Sequence, residues 1–125
     1  MRHANRRDAN EKDIVDYLEA YGASVFDLTR AGRGIPDKLV GFEGITELAE
    51  IKRPLSKTGK EAGSKWTKSQ KAWGRKWRGR PIWLIRHIDD AARMLEDMHG
   101  RALRGDAAFL PSSPRASEPP APSST

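Results

Sequence analysis

The spacing of apolar residues predicts three helices. Apolar side chains recur every three or four positions over Ala9–Tyr21, and the same spacing returns after Asp89, which is placed to cap a last helix that ends near Gly100. Between these two stretches, a basic helix is expected to begin at Thr67 and to end before Gly79. The chain therefore has helices near its start, its middle and its end.

Four shorter apolar runs have the length expected of β-strands. They cover Ala23–Thr29, Ile35–Phe42, Ile45–Lys52 and Pro81–Ile85. The Glu43-Gly44 pair between the second and third runs is a hairpin signal, and the unbroken apolar character of the fourth run predicts a strand buried on both faces. The element order α-β-β-β-α-β-α predicts an α/β fold, with helices packed on a mixed sheet.

Composition fits one small domain. The chain has 125 residues, of which 37% are hydrophobic, and its lack of cysteine excludes disulfide frameworks, thiol nucleophiles and cysteine-based metal sites. Proline, serine and alanine dominate the end of the chain, so we expect a folded domain over 1–104 and a disordered tail over 105–125. Because no apolar run has the length of a membrane span and no signal-peptide pattern opens the chain, we expect a cytosolic protein.

Positive charge is concentrated in the middle of the chain. The formal net charge is +6, but residues 52–80 alone hold eleven Lys and Arg side chains against one acid, Glu61. Such a stretch is expected of a surface that meets phosphate. Two alternatives are a solvated loop and helix face, and a basic structural protein of an RNA assembly.

Two carboxylates and a lysine are expected to meet at one end of the sheet. Strand alternation puts Glu50 and Lys52 on one face of the third strand, and pairing through the Glu43-Gly44 turn brings Asp37 towards Glu50. Neighbouring carboxylates repel unless a cation lies between them, and oxygen ligands suit Mg²⁺ or Mn²⁺. The alternative is an ordinary cross-strand salt bridge on an exposed face.

Two further polar residues each have two interpretations. Glu11 projects from the apolar face of the first helix towards the sheet, but Asp8 and Glu11 also have the spacing of a capping box. Gln70 has the same ambiguity with Thr67. Gln70 shares one helical stripe with three tryptophans, which we expect to pack in the core: Trp66, Trp73 and Trp77. Of these, only Trp66 is placed to stack on an unpaired base.

These motifs together resemble the PD-(D/E)xK nuclease superfamily. The residues that carry the resemblance are Gly34-Ile35-Pro36-Asp37, Glu50-Ile51-Lys52 and Trp66-Thr67-Lys68-Ser69-Gln70. Within the superfamily, the chain is most similar to the small VRR-NUC-like and Holliday-junction-resolvase-like proteins often found in phages, over about Arg6 to Asp90. Lys38 departs from the pattern, in which an apolar residue usually follows the aspartate.

The resemblance implies a restriction-endonuclease-like αβββαβ core and a Mg²⁺- or Mn²⁺-dependent nuclease that hydrolyses DNA, with branched or otherwise structured DNA as a candidate substrate. Because RNA presents the same phosphates, the sequence does not exclude it. The resemblance implies that Asp37, Glu50 and the Ile51 carbonyl bind the metal, with Glu11 as a further ligand. Lys52 and Gln70 would complete the catalytic set. It also implies a homodimer in a bacterial or phage-infected cytosol. The alternative function is a non-catalytic nucleic-acid-binding module that retains the fold.

Basic residues flank the expected site on both sides. One glycine-containing basic loop precedes Asp37, and the segment Arg53–Lys65 directly follows Lys52. The predicted nucleic-acid contacts are Arg30, Arg33, Arg53, Lys57, Lys60, Lys65, Lys68, Lys71 and Arg75. The alternative is that both segments are loops without a binding role.

Overall fold

The computed structural model describes residues 5–55 and 66–105, and for residues 5–9 it describes the backbone alone. The helices are α1 (Asn5–Ala20), α2 (Lys68–Lys76) and α3 (Ile88–Leu103), and the strands are β1 (Ser24–Asp27), β2 (Lys38–Phe42), β3 (Ile45–Ile51) and β4 (Trp83–Ile85). The predicted element order and the α/β class are confirmed. None of the helices in the described part of the chain has the length and apolarity needed to cross a membrane. The predicted tail lies, from residue 106 onward, outside the described residues.

The described strands form one mixed sheet in the order β1-β2-β3-β4. The first three are antiparallel to their neighbours, whereas β3 and β4 are parallel. Glu43 and Gly44 have φ values of 52° and 84°, the left-handed pair that a tight hairpin turn requires, so the predicted hairpin is confirmed. Because parallel strands need a crossover, the chain leaves the sheet after β3, forms α2 and returns as β4.

The hydrophobic core lies between the sheet and helices α1 and α3. Its buried members from the helices and from β3 are Ile14, Leu18, Ala91, Met94, Leu95, Met98, Ile45, Ala49 and Ile51. Since side chains alternate along a strand, Glu50 and the lysine after β3, Lys52, point to the opposite face of the sheet. That second face is the one that α2 approaches, because Gln70 of α2 contacts both residues.

The prediction that the three tryptophans pack in the core is wrong. Helix α2 contains no buried residue. Trp77, which follows it, is 38% exposed, and its ring stacks on Trp73 with centroids 5.0 Å apart. The helical stripe is present, but the hydrophobic core lies on the other face of the sheet, and α2 reaches Glu50 and Lys52 through Gln70.

Two smaller predictions also need correction. Only Ile85 of β4 is buried, whereas Trp83 and Leu84 are partly exposed, so the strand is not covered on both faces. Helix α3 begins at Ile88, and the carboxylate that accepts hydrogen bonds from the backbone before the helix belongs to Asp90 rather than to Asp89. Asp90 has the better position because its side chain reaches back one turn to unpaired N–H groups.

A close approach between the loop before β2 and the start of α2 requires glycine at position 34. Gly34 has a φ of +84°, and a Cβ atom added there would lie 2.1 Å from the Ser69 carbonyl oxygen. The backbone of the loop therefore touches the backbone of α2 directly. Since Asp37 follows this loop and Gln70 follows Ser69, the contact sets the distance between the two.

We predict that Gly34→Ala destabilises the protein by about 2 kcal/mol more than Gly105→Ala, because it adds a steric clash to the same backbone strain. Gly105 is the matched control, since its φ is +88° and an added Cβ meets no atom within 4 Å. Urea unfolding of both variants and the wild type measures the difference. Equal losses of stability would show that the loop and α2 are not in contact.

Candidate functional site

The register of the β2–β3 hairpin places Asp37 opposite Glu50. Lys38 pairs with Ala49, so the preceding residue on β2 meets the following residue on β3. The Asp37 backbone N–H donates a hydrogen bond to Glu50 Oε1 at 3.0 Å, and the Ile51 N–H donates one to Asp37 Oδ2 at 3.0 Å. Each carboxylate is therefore held by a backbone N–H group of the other segment. The predicted approach of Asp37 to Glu50 is confirmed.

Glu50 carries its carboxylate almost out of contact with water, since only 2% of the residue is exposed. Burial raises the pKa of Glu50, and the negative charge of Asp37 raises it further. The charge of Lys52 and the hydrogen bonds from Asp37 and Gln70 act in the opposite direction without cancelling this rise. Glu50 therefore ionises less readily in the folded protein than in the unfolded chain.

Lys52 and Gln70 complete a hydrogen-bonded group around Glu50. Lys52 Nζ donates to Gln70 Oε1 at 2.9 Å and lies 3.6 Å from Glu50 Oε2. Gln70 Nε2 donates to the same Glu50 oxygen at 2.7 Å. The Trp66 ring lies beside this group, with its centroid 5.7 Å from Lys52 Nζ. Lys52 is itself 7% exposed, so its ammonium group is fixed within the site rather than free in solvent.

The two interpretations of Gln70 are both realised in the structure. Its Oε1 accepts a hydrogen bond from the Thr67 N–H at 2.8 Å, and its own N–H donates to Thr67 Oγ1 at 3.1 Å, which completes the predicted capping box. The same side chain contacts Lys52 and Glu50. The start of α2 is therefore built around the residue that orders the site.

Glu11 is not brought to the Asp37 and Glu50 carboxylates. Its Oε2 lies 2.6 Å from Nζ of Lys38, which is 4% exposed and also lies 3.5 Å from Asp27 Oδ1. Burial acts to lower the pKa of Lys38, but Glu11, Asp27 and Asp37 together raise it. Glu11 thus compensates the lysine that departs from the superfamily pattern, and the alternative capping partner, the Asp8 side chain, lies outside the described residues.

Asn10, the neighbour of Glu11 on α1, is a further residue near the site that was not predicted from the sequence. Its Nδ2 donates a hydrogen bond to the Lys52 carbonyl oxygen at 3.1 Å, which ties α1 to the chain just after β3. The only sequence signal for this hydrogen bond is that Asn10 precedes Glu11. The sequence does not give the rotation of α1 about its axis, which decides whether the Asn10 side chain reaches β3. Asn10 therefore helps to hold the end of β3 that carries the site.

Few side chains in the described part of the chain are grouped so that they could bind a metal ion together. Within residues 5–55 and 66–105, no three His, Asp or Glu side chains gather into a metal-holding group. The carboxylates of Asp37 and Glu50 form a smaller oxygen-only pair, the kind of ligand that suits Mg²⁺ or Mn²⁺ with water completing the coordination. A divalent cation fits here because its positive charge would offset the cost of burying the Glu50 carboxylate. It would also offset the repulsion between Glu50 and Asp37.

The predicted nucleic-acid contacts divide into three groups. Arg30 and Arg33 are exposed on the loop beside the start of α2, and three more cations are exposed on α2 itself: Lys68, Lys71 and Arg75. Arg53 is partly buried, and its carbonyl oxygen accepts a hydrogen bond from Arg86 at 3.0 Å. Lys57, Lys60 and Lys65 lie outside the described residues.

In the absence of divalent metal, we predict that Glu50 makes the protein less stable as the pH rises. Below 4.5, its ordinary pKa, Glu50 is protonated in both states; above it, the unfolded chain ionises while the folded protein keeps the proton, so stability falls until the raised pKa is passed. Urea unfolding in EDTA from pH 4 to pH 8, for wild type and Glu50→Gln, gives the difference. A difference independent of pH would contradict the raised pKa.

Comparison with protein-family models, with curated proteins and with solved structures finds no match for this chain. No relative therefore supplies a fold, an activity or a ligand set by similarity.

Proposed function

We propose that the chain is a divalent-metal-dependent nuclease that hydrolyses phosphodiester bonds in DNA. The observation that carries this proposal is the buried Glu50 carboxylate next to the half-buried Asp37, with Lys52 held beside Glu50 by Gln70. Carboxylate ligands, a fixed cation and an exposed basic surface are groups that serve metal-assisted hydrolysis of a phosphodiester.

A second buried glutamate on β3 shows how unusual Glu50 is. Glu47, 3% exposed, faces the core and lies 2.9 Å from Arg101 Nη1 and 3.3 Å from Arg80 Nε, and it accepts a hydrogen bond from Trp83 Nε1 at 2.7 Å. Two arginines compensate its charge. Glu50 instead has a carboxylate as its neighbour across the hairpin and one lysine at 3.6 Å. A purely structural role is served by the first arrangement and is poorly served by the second.

The metal would be held by Asp37, Glu50 and the Ile51 carbonyl. When bound, Mg²⁺ or Mn²⁺ makes water more acidic and neutralises charge that develops on a phosphate. Lys52 donates from its ammonium group to a phosphate oxygen or to the attacking water. Gln70 keeps that ammonium in place through its Oε1 and keeps Glu50 in place through its Nε2, so both groups are oriented before substrate arrives.

The exposed cations support DNA as the substrate, and the resemblance suggests its shape, the oligomeric state and the cellular location. The exposed cations of the 30–33 loop and of α2 lie on the two segments that border the site, where they are placed to contact phosphates on either side of a scissile bond. We propose DNA as the partner and, by the resemblance alone, a branched or otherwise structured substrate, a homodimer and a cytosolic location. Symmetric dimers suit substrates with two equivalent strands.

We predict metal-dependent cleavage that Glu50→Ala abolishes. A time course on labelled supercoiled plasmid, linear duplex, single strand and four-way junction, with Mg²⁺ or Mn²⁺, should show cutting that EDTA stops. Glu50→Ala and Lys52→Ala should each lower the rate by about a thousandfold, because each removes a group that acts on the developing charge.

The matched control is Glu19→Ala, which removes an exposed carboxylate from α1 and should leave the rate unchanged. Circular dichroism checks that each variant is folded. Intact substrates under both metals, or equal cutting by wild type and Glu50→Ala, would contradict the nuclease proposal.

The alternative is a nucleic-acid-binding module without catalysis, which the exposed basic surface of α2 would serve equally well. Such a module would bind DNA in a salt-sensitive manner that chelators do not change. Glu50→Ala would then bind as tightly as wild type or more tightly, since it removes a negative charge. Binding of this kind, without cleavage of any of the four substrates, would replace the nuclease proposal.

A further inference from the structure

A groove of about 420 Å³ lies beside the site on the α2 side. Its walls are formed by Trp66, Gln70, Lys71, Gly74, Arg75 and Ile82. Gln70 and Trp66 belong to both the groove and the site, since Gln70 bonds to Glu50 and Lys52 and the Trp66 ring lies over Lys52 Nζ. Anything that occupies the groove is therefore next to the proposed scissile phosphate.

The chemistry of the groove walls is divided between an apolar part and a cationic part. Trp66 and Ile82 supply a partly exposed indole and a partly exposed aliphatic side chain. Lys71 and Arg75 are four residues apart on α2 and so present two positive charges along one face of the helix. A flat aromatic ring with a negatively charged group attached matches both parts, and a nucleotide has this composition.

A paired base does not fit this description. In a duplex both faces of a base are covered by its neighbours in the stack, so only an unpaired base has a face to offer to Trp66. Among the described groove residues, Gln70 already bonds to Glu50 and Lys52, and Lys71 and Arg75 are cations suited to phosphate, which favours stacking without sequence preference.

We propose that this groove binds an unpaired nucleotide of the DNA strand, so that the preferred substrate has a single-stranded or displaced base beside the bond that is cut. The base stacks in the part lined by Trp66 and Ile82, and its phosphate lies against Lys71 and Arg75. The inference rests on the proposed function for the identity of the bond, but the binding itself is testable without cleavage.

Gly74 allows the groove to be filled without touching the site. A Cβ added at Gly74 meets no atom within 4 Å, so Gly74→Leu places an apolar side chain into open space in the groove wall. Leucine is also a better helix former than glycine, so the variant is expected to fold. Ala72→Leu is the matched control, because it adds a leucine to the exposed surface of the same helix away from the groove walls.

The experiment measures binding in EDTA by fluorescence anisotropy, with labelled oligo(dT) and a blunt duplex of the same length. Gly74→Leu should weaken binding of oligo(dT) about tenfold, the effect expected for the loss of one stacked base, and should leave duplex binding within about twofold. Ala72→Leu should leave both within about twofold of wild type. Equal effects of Gly74→Leu on both probes, or no effect on either, would overturn the inference.

Cleavage assays on the same proteins separate this inference from the proposed function. If wild type cuts no substrate in Mg²⁺ or Mn²⁺ but Gly74→Leu selectively weakens oligo(dT) binding, the groove inference is supported and the nuclease proposal fails. If wild type cuts but Gly74→Leu binds both probes like wild type, the nuclease proposal stands and the groove inference fails.

Discussion

The register of the β2–β3 hairpin is the constraint on which the candidate site depends. Because side chains alternate along a strand, a slip of one residue would move Glu50 to the core face and Glu47 to the site. The left-handed pair Glu43 and Gly44 allows a turn that joins Phe42 to Ile45 directly, and this fixes the pairing. Asp37 then meets Glu50 at the open end of the hairpin, where the ladder of backbone hydrogen bonds is continued by carboxylates.

This register buries charged side chains on both faces of the sheet, and their charged neighbours differ between the two faces. On the helix-covered face, Glu47 and Lys38 are matched by Arg101 and Glu11, so each buried charge has an opposite partner. On the other face, Asp37 lies beside Glu50 and raises its pKa, and Lys52 lies 3.6 Å from Glu50 Oε2. The raised pKa of Glu50 shows that its negative charge is disfavoured in the folded protein, and a divalent ion bound at the proposed site would reduce this cost.

The sequence predicted what depends on local periodicity and turn chemistry. The hairpin, the shared face of Glu50 and Lys52 and the capping box of Gln70 each follow from a few adjacent residues. Predictions failed where a partner lies on a distant element: the face of Glu11 was correct, but its partner is Lys38, and the tryptophan stripe near α2 has no core to enter. Arg101 and Glu47 meet only after α3 docks on the sheet, which no local pattern encodes.

The most direct test of a metal at Asp37 and Glu50 is a titration of the ¹⁵N-labelled protein with Mn²⁺, followed by the loss of amide signals in NMR spectra. A bound Mn²⁺ broadens the signals of the nearest amides first. The site described here predicts that the amides of Asp37 and Ile51, which already hydrogen-bond to the two carboxylates, disappear at the lowest Mn²⁺ concentration. Broadening that begins instead at the acidic residues of α1, or that is absent at millimolar Mn²⁺, would contradict it.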